Sequence, residues 1–247
     1  KIGKSNIINI VSETHKIPVF IKLFFNLLAF SFSSSNNTKS KGKENLSESI
    51  QEMGTTFIKL GQFLATRPDI IGEKLSKELE SLQDKLPPFS KKEAEKIIIE
   101  NLGQSNFDDI IDLSEPIAAA SIAQVHKAKI KEDNIIKNVA IKVLRPNIKK
   151  IFNDEIDAIM LLAYIIESLI TKTKRLKLIE VVFLFKEITN HEMDLRFEAA
   201  AANEYAENTK NDLGFFVPKI YWNFTSESVL TLDLSLIHIS EPTRLRT

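Results

Sequence analysis

The spacing of apolar residues changes twice along the chain, and this limits the fold classes open to it. Between residues 43 and 104 apolar residues recur at steps of three and four, the period of amphipathic helices. Residues 116–144 instead read as two β-segments joined by a polar turn at residues 131–138. Helical spacing returns after Pro146. The sequence therefore predicts an α+β fold with a small antiparallel sheet.

The chain after Pro146 is predicted to contain two packing helices and a β-hairpin. The second helix covers residues 178–188. The hairpin follows Pro218 and consists of residues 219–224, a turn at residues 225–228 and residues 229–233. The first helix is indicated by apolar residues at helical spacing, namely Ile151, Ile156, Ile159, Leu162 and Ile166.

Composition excludes several kinds of site. With 247 residues, 43% of them hydrophobic, the chain can bury one sizeable core or two modest ones. Lysine plus arginine and aspartate plus glutamate both total 33, so no overall field attracts nucleic acid, and no nucleic-acid partner is predicted. The absence of cysteine excludes disulfides, thiolate metal sites and cysteine nucleophiles. The four histidines have no metal-ligand spacing, and no metal site is predicted.

Residues 43–66 are predicted to form one long amphipathic helix with two different faces. Its polar stripe consists of Thr55, Lys59, Gln62 and Thr66. A glycine inside a helix costs roughly 1 kcal/mol against alanine, so Gly61 suggests that something approaches the backbone closely there. A solvated face with one poor helix residue is the alternative. The apolar stripe consists of Leu46, Ile50, Met53, Phe57, Leu60 and Leu64.

The segment before this helix, residues 1–42, contains an apolar run at residues 18–32. About 20 apolar residues are needed to span a bilayer, so this run is too short and too interrupted to predict a membrane helix. Residues 33–42 are typical of a flexible polar linker, and no signal-peptide cleavage pattern is present. A helix on a membrane surface and a helix packed on the protein itself both remain open.

Two further helices are predicted before residue 104. Leucines at positions 75, 79, 82 and 86 indicate the first, which two prolines at residues 87–88 end. Ser90 and Glu93 form a capping-box pattern that opens the second, and Gly103 lies just past its end.

A lysine lies inside the most apolar predicted strand. Alternation places Val139, Ile141 and Val143 on one side and Ala140, Lys142 and Leu144 on the other. A buried stem with its ammonium in water is the ordinary explanation of such a lysine. The residues Val-Ala-Ile-Lys at 139–142 also match the pattern by which kinases present a lysine to the phosphates of ATP.

Carboxylates are concentrated in residues 191–203, which are predicted to form an alanine-rich helix. Asp194 and Glu198 are four residues apart and share a face, whereas Glu192 points elsewhere if the helix is regular. Solvated helix charges are the alternative explanation.

Four motifs in this order resemble the UbiB family of atypical kinase-like proteins, which are tied to ubiquinone biosynthesis. The resemblance covers residues 43–233. The motifs are Lys-Leu-Gly-Gln at 59–62 followed by Arg-Pro-Asp at 67–69, the alanine-rich residues 118–121, Val-Ala-Ile-Lys at 139–142, and the Glu-x-Asp pattern of Glu192 and Asp194.

The resemblance implies a protein-kinase-like amino-terminal lobe at residues 105–233 and a helical extension at residues 43–104, with the carboxy-terminal lobe missing. It implies that Lys142 and Glu198 form a catalytic ion pair. It also implies that Lys59, Gly61 and Gln62 dock near Glu192 and Asp194. The nucleotide-binding residues would be Ala118, Ala119, Ala120 and Ser121 of the alanine-rich loop, together with Ala140 and Lys142.

The same resemblance implies an atypical kinase or ATPase that binds ATP with Mg²⁺ and supports ubiquinone (coenzyme Q) biosynthesis. Its partners would be ubiquinone-biosynthesis proteins or lipid precursors, at the cytoplasmic side of the inner membrane of a bacterium. A non-catalytic, nucleotide-switched scaffold or chaperone for lipid-modifying enzymes is the alternative.

Residues 234–247 do not continue the pattern. They look like one reading frame of a transposase sequencing adapter, and the chain is expected to be a fragment. The family's catalytic-loop aspartate, asparagine and metal-binding aspartate have no counterpart here, so this fragment is predicted to be inactive. Any membrane anchor is expected to be lost with the carboxy terminus.

Overall fold

The computed structural model describes residues 50–51, 53–82, 86–169, 175–212 and 216–234. They form two compact units, each discontinuous in sequence, and the predicted domain boundaries at residues 42, 104 and 233 stay predictions. In chain order the elements are α1 (Thr55–Ala65), α2 (Pro68–Ile71), α3 (Glu73–Leu79), α4 (Lys91–Leu102), α5 (Gln104–Asp108), β1 (Ile110–Ile111), β2 (Pro116–Ala119), β3 (Ala123–Glu132), β4 (Ile135–Leu144), α6 (Ile148–Leu169), α7 (Leu178–Glu192), α8 (Leu195–Thr209), a 3₁₀ helix (Trp222–Phe224) and β5 (Val229–Asp233).

The helical unit contains α1 to α3, α6 and nearly all of α7. The ring of Phe185 lies 5.7 Å from Phe152 in an edge-on contact and 5.5 Å from Phe63. Ile58 and Ile156 are fully buried. Both helices predicted after Pro146 are present, but Phe152 and Ala163 replace Ile151 and Leu162 in the buried stripe of the first one.

Two predicted helices in this unit are shorter than expected. Gly54 has φ 108°, a left-handed value that ends the helical geometry of the residues before it, so the predicted long helix is interrupted and α1 begins at Thr55. The helix predicted to run through position 86 ends at Leu79. Leu82 lies beyond that end and is buried against Gly61.

The second unit is organised around an antiparallel sheet. The strand order is β1, β3, β4, β5, and β2 pairs with β3 beside β1. The core under one face contains Ile130, Val139, Ile141, Val143 and Val229, and Ile98 of α4 packs into it. The predicted capping box of α4 is confirmed: the Ser90 hydroxyl accepts from the backbone N–H of Glu93, whose carboxylate accepts from the backbone N–H of Ser90.

The predicted turn between β3 and β4 was too long. The two strands pair without interruption from Ala123 with Leu144 to Glu132 with Ile135, and only Asp133 and Asn134 connect them. Both have positive φ, 52° and 62°. Asp and Asn tolerate this conformation better than most residues, and two such residues give the hairpin turn that matches strand twist.

The predicted carboxy-terminal hairpin is half correct. Residues 229–233 form β5, but residues 222–224 form a 3₁₀ helix. In the predicted first arm, residues 219–224, only Ile220 forms a β-bridge, and its partner is Leu232. Threonine hydroxyls hold this arrangement. Thr231 Oγ1 donates to the carbonyl of Phe224 at 2.7 Å, and Thr225 Oγ1 donates to that of Tyr221 at 2.9 Å. The apolar run at residues 18–32, the linker at 33–42 and residues 235–247 lie outside the described residues.

Candidate functional site

Lys142 and Glu198 form the centre of the site. Lys142 lies on β4, between Val125 of β3 and Leu230 of β5, and Glu198 lies in the first turn of α8. The Nζ atom of Lys142 donates to Glu198 Oε2 at 2.7 Å. The predicted ion pair is confirmed as a contact.

This ion pair is only partly shielded from water. The side chains of Lys142 and Glu198 are 27% and 50% exposed. Exposed ion pairs contribute about 0–1 kcal/mol to stability, so stability alone does not explain a lysine in an apolar strand. The contact fixes the direction of the ammonium, which has three N–H donors and commits one to Glu198. The geometry suits a lysine that also receives an anion.

The alanine-rich residues share a sheet face with this lysine. Ala118 pairs with Val125, and Val125 pairs with Lys142, so the three residues lie in one row across the strands. Side chains directly opposite in antiparallel strands point to the same face. Strands lie about 4.8 Å apart, which puts the Cα atoms of Ala118 and Lys142 about 10 Å apart. Ala140, two residues before Lys142, is on that face as well.

The predicted alanine-rich loop is half strand and half turn. Ala118 and Ala119 belong to β2, whereas Ala120 and Ser121 lie in the turn to β3. The N–H of Ala120 donates to the carbonyl of Ala123 at 2.8 Å. The side chain of Arg145 donates to the carbonyl of Ala120 from Nε at 3.1 Å and from Nη2 at 2.8 Å. Hydrogen bonds therefore hold both the N–H and the carbonyl of Ala120.

A buried polar chain supports the other face of the same strands. The Oε1 atom of Gln124 accepts from the N–H of Phe89 at 2.9 Å, and its Nε2 lies 2.9 Å from Nε2 of His126. Because an amide nitrogen only donates, His126 Nε2 accepts and its Nδ1 carries the proton that is donated to the carbonyl of Ser114 at 2.8 Å. Burial lowers the pKa of His126 below its usual value, which keeps the ring neutral.

The helix predicted for residues 191–203 is divided in two. Glu192 is the last residue of α7, and Asp194 adopts extended geometry and caps α8. Its carboxylate accepts from the backbone N–H of Arg196 at 3.1 Å and from the guanidinium of Arg196 at 2.9 and 2.6 Å. This contact raises the pKa of Arg196. Short carboxylates favour helix caps over helix interiors, which is why Asp194 and Glu198 do not share a helix face as expected.

Comparison with known proteins shows the family of this chain. A family model described as the ABC1 atypical kinase-like domain matches residues 81–241. The chain belongs to the ABC1 atypical kinase-like family. It is 34% identical to a "Probable protein kinase UbiB" of Marinobacter nauticus over 219 residues, 88% of this chain and 39% of that protein.

Two other relatives carry the same name. The protein of Cellvibrio japonicus is 34% identical over 218 residues, covering 88% of this chain and 39% of the relative. The protein of Tolumonas auensis is 37% identical over 194 residues, covering 76% of this chain and 34% of the relative. This chain thus spans about two fifths of the length of the first two relatives. The predicted UbiB-like, kinase-like identity and the α+β fold class are confirmed.

The residues of the first predicted motif lie in the helical unit. Lys59, Gly61 and Gln62 are on α1. The close approach predicted at Gly61 is present, because a Cβ added there would overlap Cδ1 of Leu82. The docking of Lys59 and Gln62 near Glu192 and Asp194 stays a prediction.

A kinase-like domain is in general a nucleotide-binding fold, and the described residues carry a lysine suited to phosphate. They contain no group of three or more His, Cys, Asp or Glu side chains that could hold a metal ion. No helix in the described part of the chain is both long and apolar enough to cross a membrane.

Sequence reasoning missed Gln124, His126 and Arg145. All three are polar residues inside or next to the predicted β-block. Gln124 and His126 lie two residues apart and therefore on one strand face. This spacing could have predicted a buried pair of polar side chains. Nothing in the sequence spacing distinguished Arg145 from an ordinary residue that ends a strand before a proline.

Proposed function

We propose that this chain is the nucleotide-binding amino-terminal part of a UbiB-like atypical kinase or ATPase that binds ATP. The observation that carries the proposal is the 2.7 Å contact between Lys142 and Glu198 on the sheet face that also bears Ala118 and Ala140. A lysine oriented by a carboxylate and left with further donors is the arrangement that kinases use for the α- and β-phosphates.

The neighbours of Lys142 on this sheet face are small or apolar. Ala140 is 8% exposed and Leu230 is 1% exposed, so both already pack against the protein and offer a ligand almost no surface. The partly exposed ammonium of Lys142 would therefore make the contact with the triphosphate. In this proposal Ala118, Ala119, Ala120 and Ser121 cover the phosphates from the adjacent strand end.

Mg²⁺ accompanies ATP in phosphoryl transfer and neutralises the charge on its oxygens. The described residues contain no cluster of three or more metal-ligating side chains, and we propose no Mg²⁺ ligand among them. The role in ubiquinone biosynthesis and the position at a membrane surface, with lipid precursors or biosynthetic proteins as partners, rest on the family resemblance.

ATP binding by a full-length protein that carries this sequence tests the proposal. Lys142→Ala should raise the Kd for ATP at least about tenfold. Lys129→Ala is the matched control, because Lys129 on β3 also pairs with a carboxylate, Asp112, at 2.7 Å. The control should bind ATP like the unmodified protein. Equal ATP affinity in the two variants would remove Lys142 from the site.

Phosphate release distinguishes the enzyme from the scaffold alternative. A kinase or ATPase should release inorganic phosphate from ATP, and Lys142→Ala should stop the release. A protein that binds ATP without turnover, with and without membrane lipid, would favour the nucleotide-switched scaffold.

A further inference from the structure

Arg67 and Asp69 belong to the Arg-Pro-Asp motif, to which the proposed function gives no role. Their side chains form a two-point ion pair in which Nε and Nη2 of Arg67 donate to Oδ1 and Oδ2 of Asp69 at 2.9 and 2.7 Å. Such a contact fixes the plane of the guanidinium and leaves its Nη1 donors available. The motif therefore holds a cationic group in one orientation.

This guanidinium lines a cavity of about 390 Å³ in the helical unit. The lining residues come from the start of α2 and from the residues around the start of α7, and the charged ones are Arg67, Asp69, Arg175, Lys177 and Glu180. Lys177 is paired with Glu180 at 2.9 and 3.0 Å. Among the described residues, Arg175 contacts no carboxylate. Cations outnumber carboxylates, and the positive end of the α7 dipole lies beside them, so the cavity favours an anion.

A second cavity adjoins the first, because Ile70 and Val181 line both. Its volume is about 110 Å³, and every described residue that lines it is apolar or glycine. Its walls include residues of α1, α3 and α6 as well as of α2 and α7. An apolar cavity of about 150 Å³ stays dry and holds benzene, so this one has room for about four or five carbon atoms.

We propose that the two cavities together bind a small amphipathic anion. Its phosphate or carboxylate group contacts Arg67 and Arg175, and its apolar group passes Ile70 and Val181 into the second cavity. The charged end requires donors of fixed direction, which the contact with Asp69 gives to Arg67. The apolar end requires a space in which no polar group is left unpaired, which the second cavity supplies.

Hexyl phosphate is the probe that matches both cavities, and calorimetric titration of a full-length protein that carries this sequence measures its binding. Hexyl phosphate should bind at least about tenfold more tightly than inorganic phosphate, which lacks the apolar group, or hexanol, which lacks the charge. Equal affinities for hexyl phosphate and inorganic phosphate would show that the apolar cavity takes no part and would overturn the inference. An absence of hexyl phosphate binding would overturn it as well.

Two variants test the two ends of the site separately. Arg175→Gln should raise the Kd for hexyl phosphate at least about tenfold by removing a charged donor. Lys150→Gln is the matched control, because Lys150 is an exposed cation of the same unit that lines neither cavity, and it should bind hexyl phosphate like the unmodified protein. Equal losses in these two variants, or no loss in Arg175→Gln, would overturn the assignment of the charged end.

Ala163→Leu tests the apolar end. Ala163 is 4% exposed and lines the second cavity, so a larger side chain there fills the space that the ligand needs. The Kd for hexyl phosphate should rise at least about tenfold, whereas binding of inorganic phosphate should not change. Full affinity for hexyl phosphate would overturn the placement of the apolar group. If Ala163→Leu does not fold, Ala163→Val carries the measurement.

A membrane phospholipid and a soluble phosphate ester share the chemistry of this ligand, and competition distinguishes them. Vesicles of phosphatidylglycerol should displace hexyl phosphate if the ligand is a lipid, and vesicles of phosphatidylcholine should not. A soluble ester is the ligand if hexyl phosphate binds as described and neither vesicle displaces it. None of these measurements uses a nucleotide, so a failure of the proposed function would leave them unchanged.

Discussion

Val139, Ile141 and Val143 on one face of β4 are 0% exposed, whereas on the other face the Lys142 side chain keeps 27% of its surface and its partner Glu198 keeps 50%. Neighbouring residues of one strand thus meet different environments. The first face excludes water and supports the fold. The second face also buries Ala140 and Leu144, but it leaves a charged group partly accessible to water.

The polar residues of the two faces differ in the same way. Gln124 and His126 on the core face are 0% exposed. They form a hydrogen bond with each other and further hydrogen bonds with the backbone of Phe89 and of Ser114. Lys142 and Glu198 satisfy each other once, in contact with water. Removing a hydrogen-bond partner should therefore lower the free energy of unfolding strongly on the core face and only slightly on the lysine face. Four experiments test this contrast, in decreasing order of expected effect on stability.

Ile141→Ala should cause the largest loss. Deleting a buried isoleucine removes its transfer free energy and leaves a cavity, so the free energy of unfolding should fall by about 2–5 kcal/mol in urea denaturation. Ile136→Ala is the matched control on the same strand, since Ile136 is 61% exposed, and it should change stability by less than about 0.5 kcal/mol. Similar losses in both variants would refute the assignment of the two faces.

Gln124→Ala should cost less, about 1–3 kcal/mol, by leaving buried partners unpaired. The N–H of Phe89 and Nε2 of His126 would both lose the amide. Gln104→Ala is the control, because Gln104 bonds Asp108 at an exposed position on α5. Urea denaturation of the two variants gives the comparison. A loss no greater than that of the control would mean that water replaces the amide without cost.

The pH dependence of stability tests the neutral state of His126. Burial holds the pKa of His126 below its ordinary value of 6.5 in the folded protein, so the unfolded chain binds more protons once the pH falls through 6.5. The free energy of unfolding should therefore be fully present above about pH 6.5 and should decrease as the pH falls towards the folded pKa. His126→Gln should flatten this decrease. Equal slopes in the variant and in the unmodified protein would contradict the assignment.

The sequence predicted the position of β5 and the two faces of β4 better than the connection between β3 and β4. Alternation at residues 139–144 gave the faces of β4, because burial on a strand follows a period of two. The turn was misjudged because Ile135 and Ile136, which pair with Glu132 and Lys131, extend the strand beyond the apolar run. The strand propensity of single residues does not determine which residues pair across two strands. That pairing sets the length of the turn between β3 and β4.

The site was predicted in part for the same reason. Lys142 and Glu198 were identified from motif order, and their contact is present. Asp194 was placed inside a helix that in fact begins after it, because a capping carboxylate and a helical one look alike in spacing. Arg145 was missed because its partners are backbone carbonyls 25 to 59 residues away in sequence, and carbonyls carry no sequence signal.

Glu198→Gln should have the smallest effect on stability and gives the sharpest test of the contrast. The substitution keeps the shape and an oxygen that can accept from Lys142, and it removes only the charge. Because the pair is partly exposed, the free energy of unfolding should change by less than about 1 kcal/mol. Asp112→Asn removes the same kind of charge from the pair with Lys129 and should be equally mild. The two variants should differ in function. Without the carboxylate, Lys142 loses the partner that fixes its direction, so phosphate release from ATP by the full-length protein should fall at least about tenfold in Glu198→Gln and should not change in Asp112→Asn. A loss of stability in Glu198→Gln as large as that in Gln124→Ala would place this ion pair with the structural core and would remove the difference between the two faces of β4.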